Sequence, residues 1–482
     1  MPDPRTTMER SKKTNGTTCI TAEQFRLIGD RGLGNPAARV AHACAYFEGN
    51  LYMGTTHGSG DSPGDCGRIL RHRCKQGQWQ TVYTSPLRQP DLRSTAIDVL
   101  RYKRKAMPTT QVPVHRGFRG MAVFQGKSDS RPALYVSTIS NWGGVVLRSS
   151  DGENFEPVSA PGLGDDQLLS FRALVPFRGR LFTTPIGYNT GDILDRNGTN
   201  RPVVMVSDDP ANGRWEEASP AGFGDPRNQV VFNMAVLGDH LYAGTGNPQG
   251  GFDVWRTEAD GKPPFSWERA LTTGAGRFNL NESVCGMVEF CGALYIGTGL
   301  PGLGYDSAND VGPAAAVLLR LRPDGSWDLV VGQPRFSPDG LKVPISLMGP
   351  GFDDFHNSVI WRMAVHDGWL YLGTHHWEIF NTSLDDVRNP QGGFHLWATR
   401  NGEDWQPVTQ NGFGSPYAVG VRTLVSTPHG LVIGSDDHSQ LKRRSLIASG
   451  RTPAQLEGFD DEGGLQVWLG EGADHPEGGP HG

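Results

Sequence analysis

The chain has 482 residues, 65 of them glycine, with 37% hydrophobic and 20% charged residues and a formal net charge of −6. The acidic balance excludes a general nucleic-acid binder, which needs positive charge to displace counterions. Glycine lacks the three-residue period of collagen, so the composition points to short strands and many tight turns.

Met1 to Thr18 is polar and has no apolar core of the kind a signal peptide needs. No apolar run reaches the roughly 18 residues of a membrane helix. The expectation is therefore a cytoplasmic protein with no membrane and no nucleic-acid partner, with flexible tails at 1–21 and 471–482 and one domain over 22–470. The basic runs Arg101-Tyr102-Lys103-Arg104-Lys105 and Lys442-Arg443-Arg444 read as solvated loops. Six cysteines stand at 19, 44, 66, 74, 285 and 291 without a CxxC pair, and free thiols are expected. A Cys66–Cys74 disulfide is the alternative.

Near the start, Phe25 is followed seven residues later by Gly32-Leu33-Gly34. The same spacing returns at Phe155 with Gly162-Leu163-Gly164, Trp215 with Gly222-Phe223-Gly224, Trp267 with Gly274-Ala275-Gly276, and Trp405 with Gly412-Phe413-Gly414. A second motif, Leu-Tyr-x-Gly-Thr, stands at Leu51, Leu241, Leu294 and Leu370, with variants at Leu134, Leu181 and Leu431. Each copy follows an apolar strand and a tight turn. A third strand comes next, as at Val254-Trp255-Arg256, and then a fourth opened by an aromatic residue: Trp79, Phe155, Trp215, Trp267, Trp327 or Trp405.

Four strands per unit of roughly 45–70 residues, repeated along the chain, predict an all-β, seven-bladed β-propeller with four antiparallel strands per blade. The last unit ends at Leu465-Gln466-Val467-Trp468, one strand short. The lone copy at about 24–29 is expected to complete it and so remove the strand edges between first and last blades. The units opened by Trp79 and Trp327 lack the glycine spacing and carry insertions, about 88–117 and 334–356.

The strand order puts both insertions on one face. The loops near 57–66, 186–200, 299–314, 375–393 and 435–462 share it. Long loops confined to one face suggest a site over the central channel. Nine positions before the Leu-Tyr motif in six units, and fifteen in the unit of Leu134, the innermost strands are expected to begin with His42, Arg119, Arg172, Phe232, Cys285, Trp361 and Arg422. Three arginines and a histidine at one level make a cationic collar. They suit an anionic ligand, or an internal network in which Glu282, Asp353 and Asp354 neutralise them. Arg119, Arg172, Arg422, His42, Trp361 and Phe232 are thus the candidate substrate-binding residues.

Six positions after the leucine of the motif, in the units of Leu51, Leu370 and Leu431, lie His57, His376 and Asp437, with His375, Glu378, Asp436 and His438 close by. This set suits acid–base catalysis, a metal, or a plain polar rim. His57, His376 and Asp437 are the candidate catalytic residues and the alternative metal ligands. No motif requires a cofactor. Asn247-Pro248-Gln249-Gly250-Gly251-Phe252, repeated at Asn389 to Phe394, reads as turn chemistry.

Ser149-Ser150-Asp151-Gly152-Glu153-Asn154-Phe155 and Thr399-Arg400-Asn401-Gly402-Glu403-Asp404-Trp405 resemble the Asp-box turns of sialidase-like propellers. Sialidases hold a carboxylate with three arginines, but their Phe-Arg-Ile-Pro motif is absent here and their blade count differs. The runs Ala293-Leu294-Tyr295-Ile296-Gly297-Thr298-Gly299, Asp324-Gly325-Ser326-Trp327-Asp328-Leu329 and Gly368-Trp369-Leu370-Tyr371-Leu372-Gly373-Thr374 resemble the propeller part of bacterial cylindrocyclophane-forming alkylating enzymes. That resemblance implies an enzyme of specialised metabolism that couples an alkyl chloride to an aromatic carbon or a carboxylate. No counterpart of the calcium-binding domain those enzymes carry is expected within these residues. The combined expectation is an enzyme taking a small anionic or phenolic substrate at the channel mouth. The alternative is a non-catalytic propeller that binds a protein or small ligand.

Overall fold

The computed structural model describes residues 18–58, 62–74, 76–90, 110–189, 194–195, 198–381, 390–456, 459 and 463–472. Expectations for the terminal tails (1–17 and 473–482), for the basic run at 101–105 and for parts of the loops near 57–66, 88–117, 186–200, 375–393 and 435–462 lie outside these residues.

The described chain is all-β and built of four-stranded antiparallel sets. In the first, Val40–Phe47 pairs with Asn50–Thr56, which pairs with Arg68–Arg73 and then Gln78–Thr84. Later sets begin with the inner strands Gly117–Phe124, Val175–Phe177, Val230–Leu237, Ser283–Phe290, Asn357–His366 and Ala418–Thr427. The set begun by Ala418–Thr427 continues through Gly430–Asp437 and Val467–Gly470. Its fourth strand comes from the other end of the chain. Phe25–Gly29 pairs antiparallel with Val467–Gly470, Phe25 opposite Gly470 and Leu27 opposite Trp468.

The second strand of one set also touches the inner strand of the next. Thr56 stands opposite Gly117, Gly246 opposite Ser283, Gly299 opposite Val359 and His375 opposite Gly420, while Ile139 stands opposite Ser170 in the short strand Leu168–Phe171 just before Val175–Phe177. Asp436 of the set begun by Ala418–Thr427 stands opposite Val40 of the first. The apolar cores lie between neighbouring sets. Ala43, Tyr52 and Ile69 of the first pack on Phe118, Leu134, Val136 and Leu147 of the second. The alternation of strand side chains supplies one buried face to each neighbour, giving a propeller-like arrangement.

The Gly-x-Gly spacing has a backbone cause. Gly222 and Phe223 sit at φ 55° and 56°, Gly162 and Leu163 at 59° and 53°, and Gly274 and Ala275 at 57° and 55°. Glycine tolerates this left-handed region, whereas the middle residue is strained there and needs a packing reason. Phe223 supplies one: its ring stacks on Trp255 at 5.0 Å and meets Trp267 edge-on at 5.1 Å. The unit opened by Trp327, expected to lack the turn, has it displaced to the end of its insertion. Gly351, Phe352 and Asp353 take φ 67°, 61° and 63°, and Phe352 stacks on Trp397 at 4.6 Å. Asp353 in the third place and the longer spacing conceal the repeat.

All six cysteines are free thiols, so Cys66 and Cys74 are not bridged. Among the described residues, no helix is long and apolar enough to cross a membrane.

Candidate functional site

The collar residues share a structural device. Strand pairing slips between Ala41 and Ala43, Phe118 and Gly120, Val231 and Asn233, Val284 and Gly286, Ile360 and Arg362, and Val421 and Thr423. The residues left over are His42, Arg119, Phe232, Cys285, Trp361 and Arg422. Arg172 lies in the break between Leu168–Phe171 and Val175–Phe177. A β-bulge frees one residue from the ladder and re-aims its side chain. Repeated at one level, it brings these side chains together. The sequence register located the residues; the bulges explain why they converge.

Arg422 donates from Nη2 to His42 Nε2 at 2.8 Å, and its Cζ lies 4.0 Å from the Trp361 ring centre. Arg172 Cζ lies 3.3 Å from the centre of the Phe232 ring, and Phe232 meets Trp361 edge-on at 6.2 Å. Burial pushes the His42 imidazole well below its usual range, followed by the charges of Arg422, Arg119, Arg362 and Arg172. His42 is therefore neutral and accepts from Arg422. Burial, then the charge of Arg119, also lowers the Arg172 guanidinium well below its ordinary value.

Arg172 is 8% exposed, and its Nε is buried with no hydrogen-bond partner. Among the described residues no ion pair reaches it. Arg422 pairs with Asp436 at 3.5 Å. Arg362, which the register reading passed over, is one residue beyond the Trp361 bulge and donates to the Arg422 carbonyl at 2.7 Å. Burial and Arg422 hold its guanidinium at about 10. Burial pushes the Cys285 thiol up to about 12, despite Arg172.

The three carboxylates expected to neutralise the collar are engaged elsewhere. Asp354 faces His376, Asp353 accepts from the Gly349 N–H at 2.8 Å, and Glu282 lies beside Asp306. Burial and that neighbouring carboxylate push Glu282 up to about 8.

His57, Asp437 and His376 do not form one group. His57 and Asp437 line a cavity of about 470 Å³ with Arg39, His42, Arg116, Arg119, Asp436 and His438. His57 Nε2 is 3.2 Å from Thr55 Oγ1, and burial with Arg68 and Arg39 pushes its imidazole down to about 4. Asp437 accepts from Ser439 Oγ at 2.6 Å and faces Arg39 at 3.5 Å; burial raises its carboxyl. Asp436 holds His438 at 3.2 Å. Burial alone would raise Asp436, but the charges of His438 and Arg422 hold it well below the usual carboxylate range.

His376 belongs to a separate cluster. Its Nε2 is 3.1 Å from Asp354 Oδ2 and 3.9 Å from Glu378 Oε2, and its ring stacks on His395 at 4.3 Å. His356 Nδ1 is 3.3 Å from Asp354 Oδ1. His356 and His395 were not singled out in the sequence. His395 precedes the third strand of its set, a position the register reading did not count. Arg39 and Arg116 were equally legible, each three residues before a collar residue.

No family model matches the chain, and no curated protein matches it. Among solved structures it is similar to YCF48 from Cyanidioschyzon merolae, with 10% identity and a TM-score of 0.46, covering 92% of this chain and 98% of that one. A GH74 xyloglucanase from Xanthomonas campestris gives 16% and 0.43, covering 93% of this chain and 56% of that one. A puromycin hydrolase S511A mutant gives 13% and 0.44, covering 85% and 52%. At TM-scores below 0.5 these likenesses carry no functional inference.

Proposed function

We propose that the chain is a seven-bladed β-propeller, closed by its N-terminal strand, that binds a small anionic or phenolic substrate at the mouth of its channel. We read it as a cytoplasmic enzyme of specialised metabolism that makes or breaks a bond in that substrate. The observation that carries the binding claim is Arg172. It is a buried guanidinium with no ion-pair partner among the described residues, lying on an aromatic face beside other arginines. A buried cation without its counter-charge is costly, and an anionic ligand would offset that cost. Phe232 and Trp361 would hold the apolar part of the ligand.

Alkylation is the finer form of this reading. A carbon–chlorine bond would break, chloride would leave toward the guanidiniums, and the aromatic carbon or carboxylate would form the new bond. An aromatic carbon would then lose its proton to a base such as the Asp436–His438 pair. A specific observation favours the non-catalytic alternative. His57 and Asp437 are held by Thr55, Ser439 and Arg39, which leaves them little freedom for proton transfer.

Thermal-shift measurements with aromatic carboxylates, phenols, phosphate and neutral sugars test the binding class. Saturable stabilisation by the anions and phenols, with none by the sugars, is expected. Stabilisation by sugars alone would contradict the reading. Chloride release from alkyl chlorides in the presence of a phenol tests the alkylation, and its absence over such a panel would leave the non-catalytic alternative.

A further inference from the structure

The cluster around His376 has the charge balance opposite to that of the collar. Two carboxylates, Asp354 and Glu378, lie 3.1 and 3.9 Å from His376 Nε2. Among the described residues, the groups facing Asp354 and Glu378 are imidazoles: His376 faces both, and His356 and His395 also face Asp354. No lysine or arginine among those residues forms an ion pair with either carboxylate. His376 is 1% exposed, and its Nδ1 is buried with no hydrogen-bond partner. Two carboxylates on one imidazole, a further imidazole nitrogen and, among the described residues, no paired lysine or arginine make up the donor chemistry of a divalent cation site.

The spacing agrees. A tetrahedral ion bonded at about 2.0–2.2 Å separates its ligand atoms by roughly 3.3–3.6 Å. His376 Nε2 and Glu378 Oε2 are 3.9 Å apart, while Asp354 meets His376 through Oδ2 at 3.1 Å and His356 through Oδ1 at 3.3 Å. His356, His376 and Glu378 each offer a ligand atom within 4.8 Å of the others. Asp354, His356 and Glu378 are partly exposed, which gives an ion a way in.

The local hydrogen bonds separate ligands from supports. Asn357 donates from its amide to the Gly351 carbonyl at 2.9 Å, as Asn228 does to Gly222 at 3.0 Å and Asn281 to Gly274 at 2.8 Å. The repeated turn therefore fixes which way the Asn357 amide points. Its other N–H faces His395 Nδ1 at 3.0 Å, making that nitrogen the acceptor. The His395 proton then sits on Nε2, 3.8 Å from Asp354 Oδ2. A protonated nitrogen cannot ligate, so His395 is a positioning residue that orients Asp354.

We infer that His356, His376 and Glu378 form a binding site for a divalent transition-metal ion of the zinc class, with Asp354 as the carboxylate that holds His376 and His356. Mixed imidazole and carboxylate donors favour such an ion over calcium or magnesium, which prefer oxygen. The test is titration of the metal-stripped full chain with Zn²⁺ by calorimetry, and with Co²⁺ by visible absorption. One ion per chain is expected, with a Co²⁺ spectrum of nitrogen and oxygen ligation. Glu378→Gln and His356→Ala, both at partly exposed positions, should weaken Zn²⁺ binding about 100-fold while leaving the thermal transition of the stripped chain unchanged. His395→Gln should weaken it about tenfold, as expected for a supporting hydrogen bond. Binding well below one ion per chain, or binding unaltered in Glu378→Gln and His356→Ala, would overturn the site. Equal loss in His395→Gln and His356→Ala would overturn this ligand assignment. Neither readout depends on the collar, so this inference and the proposed anion binding can fail separately.

Discussion

Two regions meet on opposite sides of one strand, Trp369–His376, whose last two residues are histidines. His375 turns toward the collar, 6.4 Å from Trp361 and 5.4 Å from His438. His376 turns the other way, onto His395 and Asp354. Successive strand residues point to opposite faces, so one step along the chain crosses from arginine-rich to carboxylate-rich surroundings. The same residue type takes its role from its neighbours. Burial, with the His438 charge next, pushes His375 down to about 3, leaving it neutral beside the collar. His376 bridges two carboxylates. The contrast argues that the collar awaits an anion and the cluster a cation.

The largest effect that would sharpen this contrast comes from the backbone under the collar. A Cβ on Gly120 would sit 2.7 Å from the Arg172 carbonyl oxygen and 3.3 Å from the Leu174 nitrogen. Gly120→Ala should cost about 1–3 kcal/mol of stability. It should also weaken anion binding by displacing Arg172, while leaving Zn²⁺ binding untouched. A denaturation curve and the two titrations check this. Intact anion binding despite the lost stability would separate the collar from its bulges.

Acidification probes the cationic side through His57. Its folded value of about 4 lies below the ordinary 6.5, so the unfolded chain binds a proton the folded chain refuses. Stability is whole above about pH 6.5 and is lost as the pH falls toward 4. His57 should contribute a loss of about 2 kcal/mol by pH 5. Denaturant unfolding at pH 7.5 and pH 5 should show His57→Gln losing correspondingly less than the wild type. Identical losses would contradict the surroundings assigned to His57.

The smallest effect concerns Asp436, the carboxylate beside Arg422. Asp436→Asn should tighten small-anion binding about fivefold, or about 1 kcal/mol, by removing a competing negative charge. Weaker binding would show instead that Asp436 orients the ligand through His438.

Much of the collar was legible because the Leu-Tyr motif fixes a register, and counting back from it finds a residue near the start of most inner strands, two to four positions inside rather than first as expected. The bulges were not legible, since they arise from how two strands pair. Arg362 was missed for that reason. The His376 cluster was harder to see because it is assembled from three places. Asp354 and His356 follow an insertion, His376 and Glu378 end a hairpin, and His395 precedes a third strand. Asp354 looked like a counter-charge for arginine because sequence gives proximity along the chain and not the direction a side chain faces. The N-terminal strand was read correctly, since its aromatic-to-glycine spacing survives unchanged at Phe25 and Gly32.

The central claim, that Arg172 is a buried cation kept for an anionic ligand, is met most directly by titrating benzoate at low salt into the wild type and Arg172→Met. The account predicts one site per chain in the wild type. In Arg172→Met it predicts at least about 100-fold weaker binding, or about 2.7 kcal/mol. The variant's melting temperature should be equal or higher, because a buried unpaired charge has been removed. Unchanged benzoate affinity in Arg172→Met, or a variant that fails to fold because Arg172 anchors an internal ion pair, would contradict it.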